Sequence, residues 1–435
     1  MSAAPGGAAS IEAPRATGPV VGAFRPPGSK SLTQRWLLLA ALAEGTSTIR
    51  NALRSDDIEA LAGGLRTLGA TIRWIDVDEI EVHGVGGRFP RGGLLDAREG
   101  GTPARFLMAA ACLGSKRSVV DGSSRLRKRP MEDAIPLLRA TGATAKRLEE
   151  GQLPVEVVPG AGAALAEIEI ARPASSQFLS AMALIAPWLA DGLRVRVRDG
   201  LPSGSYLHLT VRCLQQLGVA ASWNEARGTL EVPASPRKGF EVTVEPDASS
   251  AAYGWALAAI CPGSEVWVPG LQADSAQPDM AVREALAAMG ARRIDREHGC
   301  GLAFGGPLTG GEFDASLWPD GSLAVMAAAA TSQDPVTLRG LDTLAGKESD
   351  RIEAMRVWLE AAGAGVERGA DWIRIRSGTT RVPDSAIDPR RDHRIAMSAA
   401  VLGARIGGFR VLDSGCVDKS WPGFWAAWAG LLASA

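Results

Sequence analysis

Tyrosine, histidine and cysteine are scarce in this chain of 435 residues, which has 2, 4 and 5 of them. Five cysteines are an odd number, no two have Cys-x-x-Cys spacing, and most sit inside apolar stretches. This argues against a disulfide framework or a zinc site and fits buried thiols in a reducing cytosol. His83, His208, His298 and His393 are scattered, so no metal cluster is expected. Charge of one sign is also missing: 47 Lys and Arg face 48 Asp and Glu, a formal net charge of −1. No global field then favours nucleic acid or a membrane surface, and any anion binding must be local. No apolar run reaches the roughly 20 residues of a bilayer span. The first residues, rich in Ala, Gly, Pro and Ser, lack the basic and apolar regions of an export signal and read as a flexible tail, 1–15, of a cytoplasmic protein.

What the chain has is repetition. Helix-like segments end at Gly69, Gly142, Gly218, Gly290 and Gly363, at intervals of about 73 residues. In phase with them, Lys30, Thr102, Ser176, Ser249, Asp320 and Asp392 each open an apolar, Ala- and Leu-rich segment. Each copy reads as strand, turn, helix apolar on every side, strand, polar loop, amphipathic helix and alternating hairpin, or β-α-β-α-β-β. A helix without a polar face is buried or in a membrane, and these are too short for a membrane. The expected class is therefore α/β (α+β), with the six copies divided three and three between two similar domains.

The sixth copy stops after its second helix. An open sheet edge is a liability, so the segment before Pro26 is expected to supply a strand to the last copies. The expected domains are 25–240, and 16–24 together with 241–435.

In every copy the residues that break the apolar pattern sit at the start of the buried helix or in the loop before the second helix. Helix N-termini bind anions through free N–H groups and the macrodipole. The first helix opens with Pro27-Gly28-Ser29-Lys30-Ser31 and Arg35, which is not a Walker A loop because Ser29 precedes the Lys. Gly100-Gly101-Thr102 with Arg105, Ser175-Ser176-Gln177 and Asp392-His393-Arg394 match it in other copies. The inter-helix loops add Arg125, Arg127, Lys128, Arg129, Ser203, Tyr206, Lys347, Glu348, Arg351 and Lys419. Gathered at equivalent repeat positions, these would line a cationic cleft for two or more anionic groups.

These motifs, with Asp247-Ala248-Ser249-Ser250-Ala251, Pro319-Asp320, Lys347-Glu348-Ser349-Asp350-Arg351 and Cys416-Val417-Asp418-Lys419-Ser420-Trp421-Pro422, resemble the 5-enolpyruvylshikimate-3-phosphate synthase family in order from Pro26 to Pro422. The resemblance implies two three-copy domains joined by a hinge and closing on substrates. It also implies transfer of the enolpyruvyl group of phosphoenolpyruvate to the 5-hydroxyl of shikimate 3-phosphate, in the pathway to aromatic amino acids.

Residue by residue, it implies that Lys30, Ser31, Arg35, Ser175, Ser176, Gln177, Ser203, Tyr206, Asp320 and Lys347 bind shikimate 3-phosphate. Lys30, Gly101, Thr102, Arg129, Gln177, Arg351, Arg394 and Lys419 match the phosphoenolpyruvate side. Asp320 and Glu348, with Lys30, match the proton-transfer groups, although carboxylates at these positions also cap helices. No metal and no organic cofactor is implied, and the expected partners are small anionic substrates of a monomer.

Three positions depart from the family pattern: Glu99 where Asn is usual, Phe106 where Pro is usual, and Thr343 where Asn is usual. Glu99 and Phe106 are expected to reshape the Gly101 turn and weaken phosphoenolpyruvate mimics such as glyphosate. The related transferase acting on UDP-N-acetylglucosamine is the nearest alternative, but it carries Lys-Asn at the position of Lys30-Ser31 and usually a Cys in the 125–129 loop. Neither is present. A non-catalytic binding homologue is the other alternative, opposed by Lys30, Asp320 and Glu348 occurring together.

Overall fold

The computed structural model describes residues 10–160 and 167–433. Twelve helices among the described residues fall into six pairs. In the first three copies these are α1 (Lys30–Leu42) and α2 (Asp56–Leu68), α3 (Gly101–Cys112) and α4 (Ala134–Ala140), and α5 (Gln177–Ile185) and α6 (Ser205–Gln216). In the last three they are α7 (Ala248–Ile260) and α8 (Ala281–Ala288), α9 (Ser322–Ala329) and α10 (Arg351–Ala361), and α11 (His393–Ile406) and α12 (Phe424–Leu432). None of these helices is long and apolar enough to cross a membrane.

The first helix of each pair is the interior one, as its all-round apolar sequence requires. Every residue of α9 and all of α7 except Ser249 are buried. The second helices bury one face, as α6 does with Leu207, Val211 and Leu214. The repeat glycines have a backbone reason. Gly69, Gly142, Gly218, Gly290 and Gly363 have φ of 124, 86, 76, 114 and 95°, the left-handed turn that ends a helix and that a side chain opposes.

The chain forms two compact bodies: Gly28–Glu245, and Met1–Pro27 with Pro246–Ala435. In the first body α1, α3 and α5 pack against one another, and in the second α7, α9 and α11 do the same. Each of copies two, three and five has its own four-stranded sheet. In copy two, Leu94–Asp96 runs parallel to Ser118–Asp121, which pairs antiparallel with Val155–Val158 and through it with Thr144–Arg147.

Copies one and four differ from the sequence reading, because they exchange their first strands. Glu241–Thr243, read as the opening strand of copy four, lies parallel to Glu44–Arg50 in the first body. Val21–Ala23 lies parallel to Glu265–Pro269 in copy four. The domain boundary expected at 240 therefore falls after Glu245. Both exchanged strands lead into a crossing between bodies, at Pro27 and at Pro246, where a residue without an N–H ends strand pairing.

The expected tail is also shorter than 1–15. Ile11–Glu12 pairs antiparallel with Arg410–Val411 of copy six. Ala13 N donates to Phe409 O at 2.7 Å, and Ala16 N donates to Ala404 O at 2.9 Å. The copy without a hairpin thus gains its edge partner from the N-terminal segment, with Ala13 buried. Residues 1–9 of the expected tail lie outside the described residues.

Candidate active site

Each body carries one polar cluster at the starts of its buried helices. In the first body Gly28 precedes α1 so closely to the neighbouring loop that a Cβ there would stand 1.7 Å from Asn51 O. Only glycine allows the chain to turn into the helix at that point. Lys30 Nζ then pairs with Asp57 Oδ2 of α2 at 3.2 Å. Arg35, one turn on, is 2% exposed and uses all three guanidinium nitrogens. Nε donates to Thr210 Oγ1 (2.8 Å), Nη1 to Ser31 O (2.7 Å) and Nη2 to Tyr206 O (2.9 Å). It therefore ties the start of α1 to the start of α6. Phe106 is fully buried, with the Arg35 guanidinium 5.9 Å from its ring centre.

The start of α3 is crowded by guanidinium groups. A Cβ on Gly101 would lie 2.9 Å from Arg129 Cζ and 2.9 Å from Arg105 Nη1. Arg105 donates to Gln177 Oε1 at 2.6 Å and to Pro130 O at 3.0 Å, and its guanidinium covers the Phe178 ring at 4.7 Å. Burial first, and then repulsion from Arg129, pull the Arg105 guanidinium down to about 9. Two cations held this close leave a deficit of negative charge that a bound anion would fill. Ser175 Oγ accepts from Gln177 N at 3.3 Å, Ser176 is 2% exposed, and Ser203 sits at the left-handed φ of 50° just before α6. Glu99 is exposed and has no ion pair among the described residues, so nothing neutralises it.

In the second body the starts of α9, α10 and α11 meet around Arg351, whose side chain is 1% exposed. Its Nε reaches Asp392 Oδ2 at 2.8 Å, Nη1 reaches Asp320 Oδ1 at 2.7 Å, and Nη2 reaches Glu348 Oε2 at 2.8 Å. Lys347 Nζ stands 3.3 Å from Asp320 Oδ1, Arg394 Nη2 3.4 Å from Asp320 Oδ2, and Lys419 Nζ 3.1 Å from Glu348 Oε1. Burial disfavours charge on Asp320, but Lys347, Arg394 and Arg351 together hold its carboxyl well below the usual carboxylate range. Burial likewise works against the Arg351 guanidinium, and Asp392, Glu348 and Asp320 outweigh it, so the group is held charged. Asp392 is both the cap of α11, accepting from Arg394 N at 3.0 Å, and a partner of Ser349 Oγ at 2.9 Å.

The sequence profile of the family described as EPSP synthase (3-phosphoshikimate 1-carboxyvinyltransferase) matches residues 14–428. The chain belongs to the EPSP synthase family. It is 36% identical over 417 residues to the 3-phosphoshikimate 1-carboxyvinyltransferase of Methanoculleus marisnigri, covering 95% of this chain and 97% of that one. It is 37% identical to the enzyme of that name from Bordetella petrii, covering 94% of each. Among solved structures, EPSP synthase from Acinetobacter baumannii superposes with a TM-score of 0.79 at 28% identity over 96% of both chains. The enolpyruvyl transferase NikO from Streptomyces tendae shares the fold, with a TM-score of 0.74 at 17% identity.

In this EPSP synthase family member, the residues matched by motif gather in two groups. Lys30, Ser31, Arg35, Gly101, Thr102, Arg129, Ser175, Ser176, Gln177, Ser203 and Tyr206 belong to the first body, and Asp320, Lys347, Glu348, Arg351, Arg394 and Lys419 to the second. Sequence reasoning missed Asp57 and left Asp392 without a role. Both lie at helix starts, where a carboxylate is most often a cap, and only the distances to Lys30 and Arg351 reveal the second function. Thr343, one of the departures, has a buried Oγ1 with no hydrogen-bond partner among the described residues.

Proposed function

We propose that Asp320 and Glu348 are the proton-transfer pair of the family's reaction, in which the enolpyruvyl group of phosphoenolpyruvate moves to the 5-hydroxyl of shikimate 3-phosphate. One group delivers a proton to the methylene carbon, leaving a cationic centre, while another takes the hydroxyl proton as the oxygen attacks that centre. The tetrahedral intermediate then loses phosphate from the same carbon and a proton from the new methyl group, giving the enol ether. Lys30, held beside Asp57, is the third candidate for moving a proton.

The observation that carries this reading is that Asp320 and Glu348 share one buried guanidinium and are each flanked by a further lysine. At rest those cations make the Asp320 carboxylate a poor base. A phosphate that draws Lys347 or Arg394 to itself returns proton affinity to Asp320 just as substrate arrives. Arg129 and Gln177 hold the donor, and Ser31, Ser175, Ser176, Ser203 and Tyr206 hold the acceptor. Arg35, committed to Ser31 and Tyr206, sets their spacing.

Phosphate release is expected when phosphoenolpyruvate is supplied with shikimate 3-phosphate and not with UDP-N-acetylglucosamine. Release with the second acceptor alone would overturn the reading. The chain acts as a monomer in the cytoplasm in this reading. Every group the chemistry uses is its own, and its five thiols are free, as in a reducing compartment.

Two expected results concern the turn before α3. Gly101→Ala pushes against the side-chain ends of Arg105 and Arg129 and not against backbone, so folding is retained while Arg129, the donor to phosphoenolpyruvate, moves. Its KM for phosphoenolpyruvate should rise about tenfold, a shift of about 1.4 kcal/mol, with that for shikimate 3-phosphate nearly constant. Equal rises in both constants would contradict this placement. Glu99→Asn removes an exposed, unpaired negative charge and should lower both KM for phosphoenolpyruvate and the glyphosate inhibition constant by roughly threefold. Unchanged constants would sink the idea that Glu99 weakens such ligands.

A further inference from the structure

We propose that Asp279 is a positioning residue for Asp320: its carboxylate fixes the peptide that follows Asp320 and sets the charge beside it. Asp279 lies in the short 3-10 turn Pro278–Met280 of copy four, the copy to which the family motifs assign no binding or catalytic residue. It is 1% exposed. Oδ1 accepts from Gly321 N at 3.1 Å, and Oδ2 accepts from the Ser249 hydroxyl at the head of α7. The fit is close on every side. A Cβ at position 321 would stand 2.5 Å from Val282 Cγ2 and 3.0 Å from Asp279 Cγ. Because Gly321 directly follows Asp320, this contact anchors the residue that faces Lys347, Arg351 and Arg394.

A helix cap alone does not explain an acid here. Asn or Ser would accept the Gly321 N–H without the cost of burying a charge. The charged groups that face Asp279 are Arg394 at the head of α11, Asp320 ahead of α9 and Asp247 ahead of α7. Burial first, opposed by Arg394 and reinforced by Asp320, pushes its carboxyl up to about 6. Ionised, Asp279 offsets Arg394, one of the three cations that make Asp320 a weak base. Protonated, it no longer does.

The inference rests on Asp320 being a proton-transfer residue, so Asp320→Asn serves as the reference variant, and full activity in it would overturn that reading separately. Phosphate release from shikimate 3-phosphate and phosphoenolpyruvate is followed between about pH 5 and pH 8 in the full chain. At about pH 8, Asp279→Asn should lower kcat about tenfold, with both KM values within about twofold of wild type. At about pH 5 the gap should close, because the wild-type carboxyl is then itself protonated. Ser249→Ala removes a donor to the ionised form and should move the wild-type rate limb near 6 to higher pH. Equal kcat at about pH 8, or the same deficit at every pH, would reduce Asp279 to a structural cap. If Asp279→Asn does not fold, Ser249→Ala decides: a limb that stays in place overturns the proposal.

Discussion

Replacing Arg351 with alanine is expected to destabilise the second body by about 3–5 kcal/mol, because one substitution strips the cation from three buried carboxylates. Asp392 is fully buried and Asp320 and Glu348 nearly so, at 0, 17 and 12% side-chain exposure. None can recover by turning to water. Lys347, Arg394 and Lys419 remain for Asp320 and Glu348, but Asp392 would keep only the Ser349 hydroxyl, the Arg394 backbone N–H and, 3.7 Å away, His393 Nδ1. In a body of this size the loss corresponds to a fall of roughly 10 °C in thermal midpoint.

Arg351→Lys should fall between wild type and alanine, since an ammonium keeps the charge but cannot span three acceptors in a plane. The pH dependence has a definite sign. Asp320 has a folded-state pKa depressed by its cations, so it contributes stability above its unfolded value of about 4, and this is lost as pH falls below that value. The gap between wild type and Arg351→Ala should accordingly be widest near neutrality and shrink in acid. Coincident unfolding curves near neutral pH would show that the guanidinium is not what holds these three loops together.

Asp320→Asn is expected to lower kcat by about 10²–10⁴ while leaving a folded protein. The amide keeps the shape of the carboxylate and one acceptor for Arg351, and Arg351 retains Glu348 and Asp392. What disappears is the capacity to take or give a proton and the negative charge that counters Lys347 and Arg394. With those cations released, phosphoenolpyruvate should bind as tightly as before or more tightly. Low kcat with an unraised KM is the mark of an interaction used in the transition state. A folded variant with kcat within about threefold of wild type would remove Asp320 from the chemistry. Glu348→Gln provides the comparison: if it alone abolishes turnover, the proton transfers belong to Glu348 and Lys30.

The repeat was legible in the sequence because it is written in two strong local signals. A glycine in the left-handed turn ends one helix, and an apolar run begins the next. Strand partnership was not legible in the same way. Residues 240–244 (Phe240-Glu241-Val242-Thr243-Val244) alternate and residues 20–24 (Val20-Val21-Gly22-Ala23-Phe24) do not, yet in both cases a parallel edge strand shows nothing locally of which neighbour it will meet. The cations of the two clusters stood out because Lys and Arg at the head of an apolar helix conflict with their surroundings. Their counter-charges did not. Asp57, Asp279 and Asp392 sit where carboxylates ordinarily close a helix, and Asp392 does close one. That one oxygen pair also serves a guanidinium 41 residues away in sequence is a tertiary fact with no local trace.

The exchange of first strands gives the two bodies different histories on the ribosome. Gly28–Glu245 is one unbroken stretch and holds every strand of its three sheets, including Glu241–Thr243. It can finish folding while the rest of the chain is still being made. Val21–Ala23 emerges earlier but has no partner until Glu265–Pro269 has been synthesised, and Ile11–Glu12 waits longer still, for Arg410–Val411. The segment carrying these two strands is thus locked in place long after it is made, and the body carrying Asp320 and Glu348 is complete only once Arg410–Val411 has been synthesised.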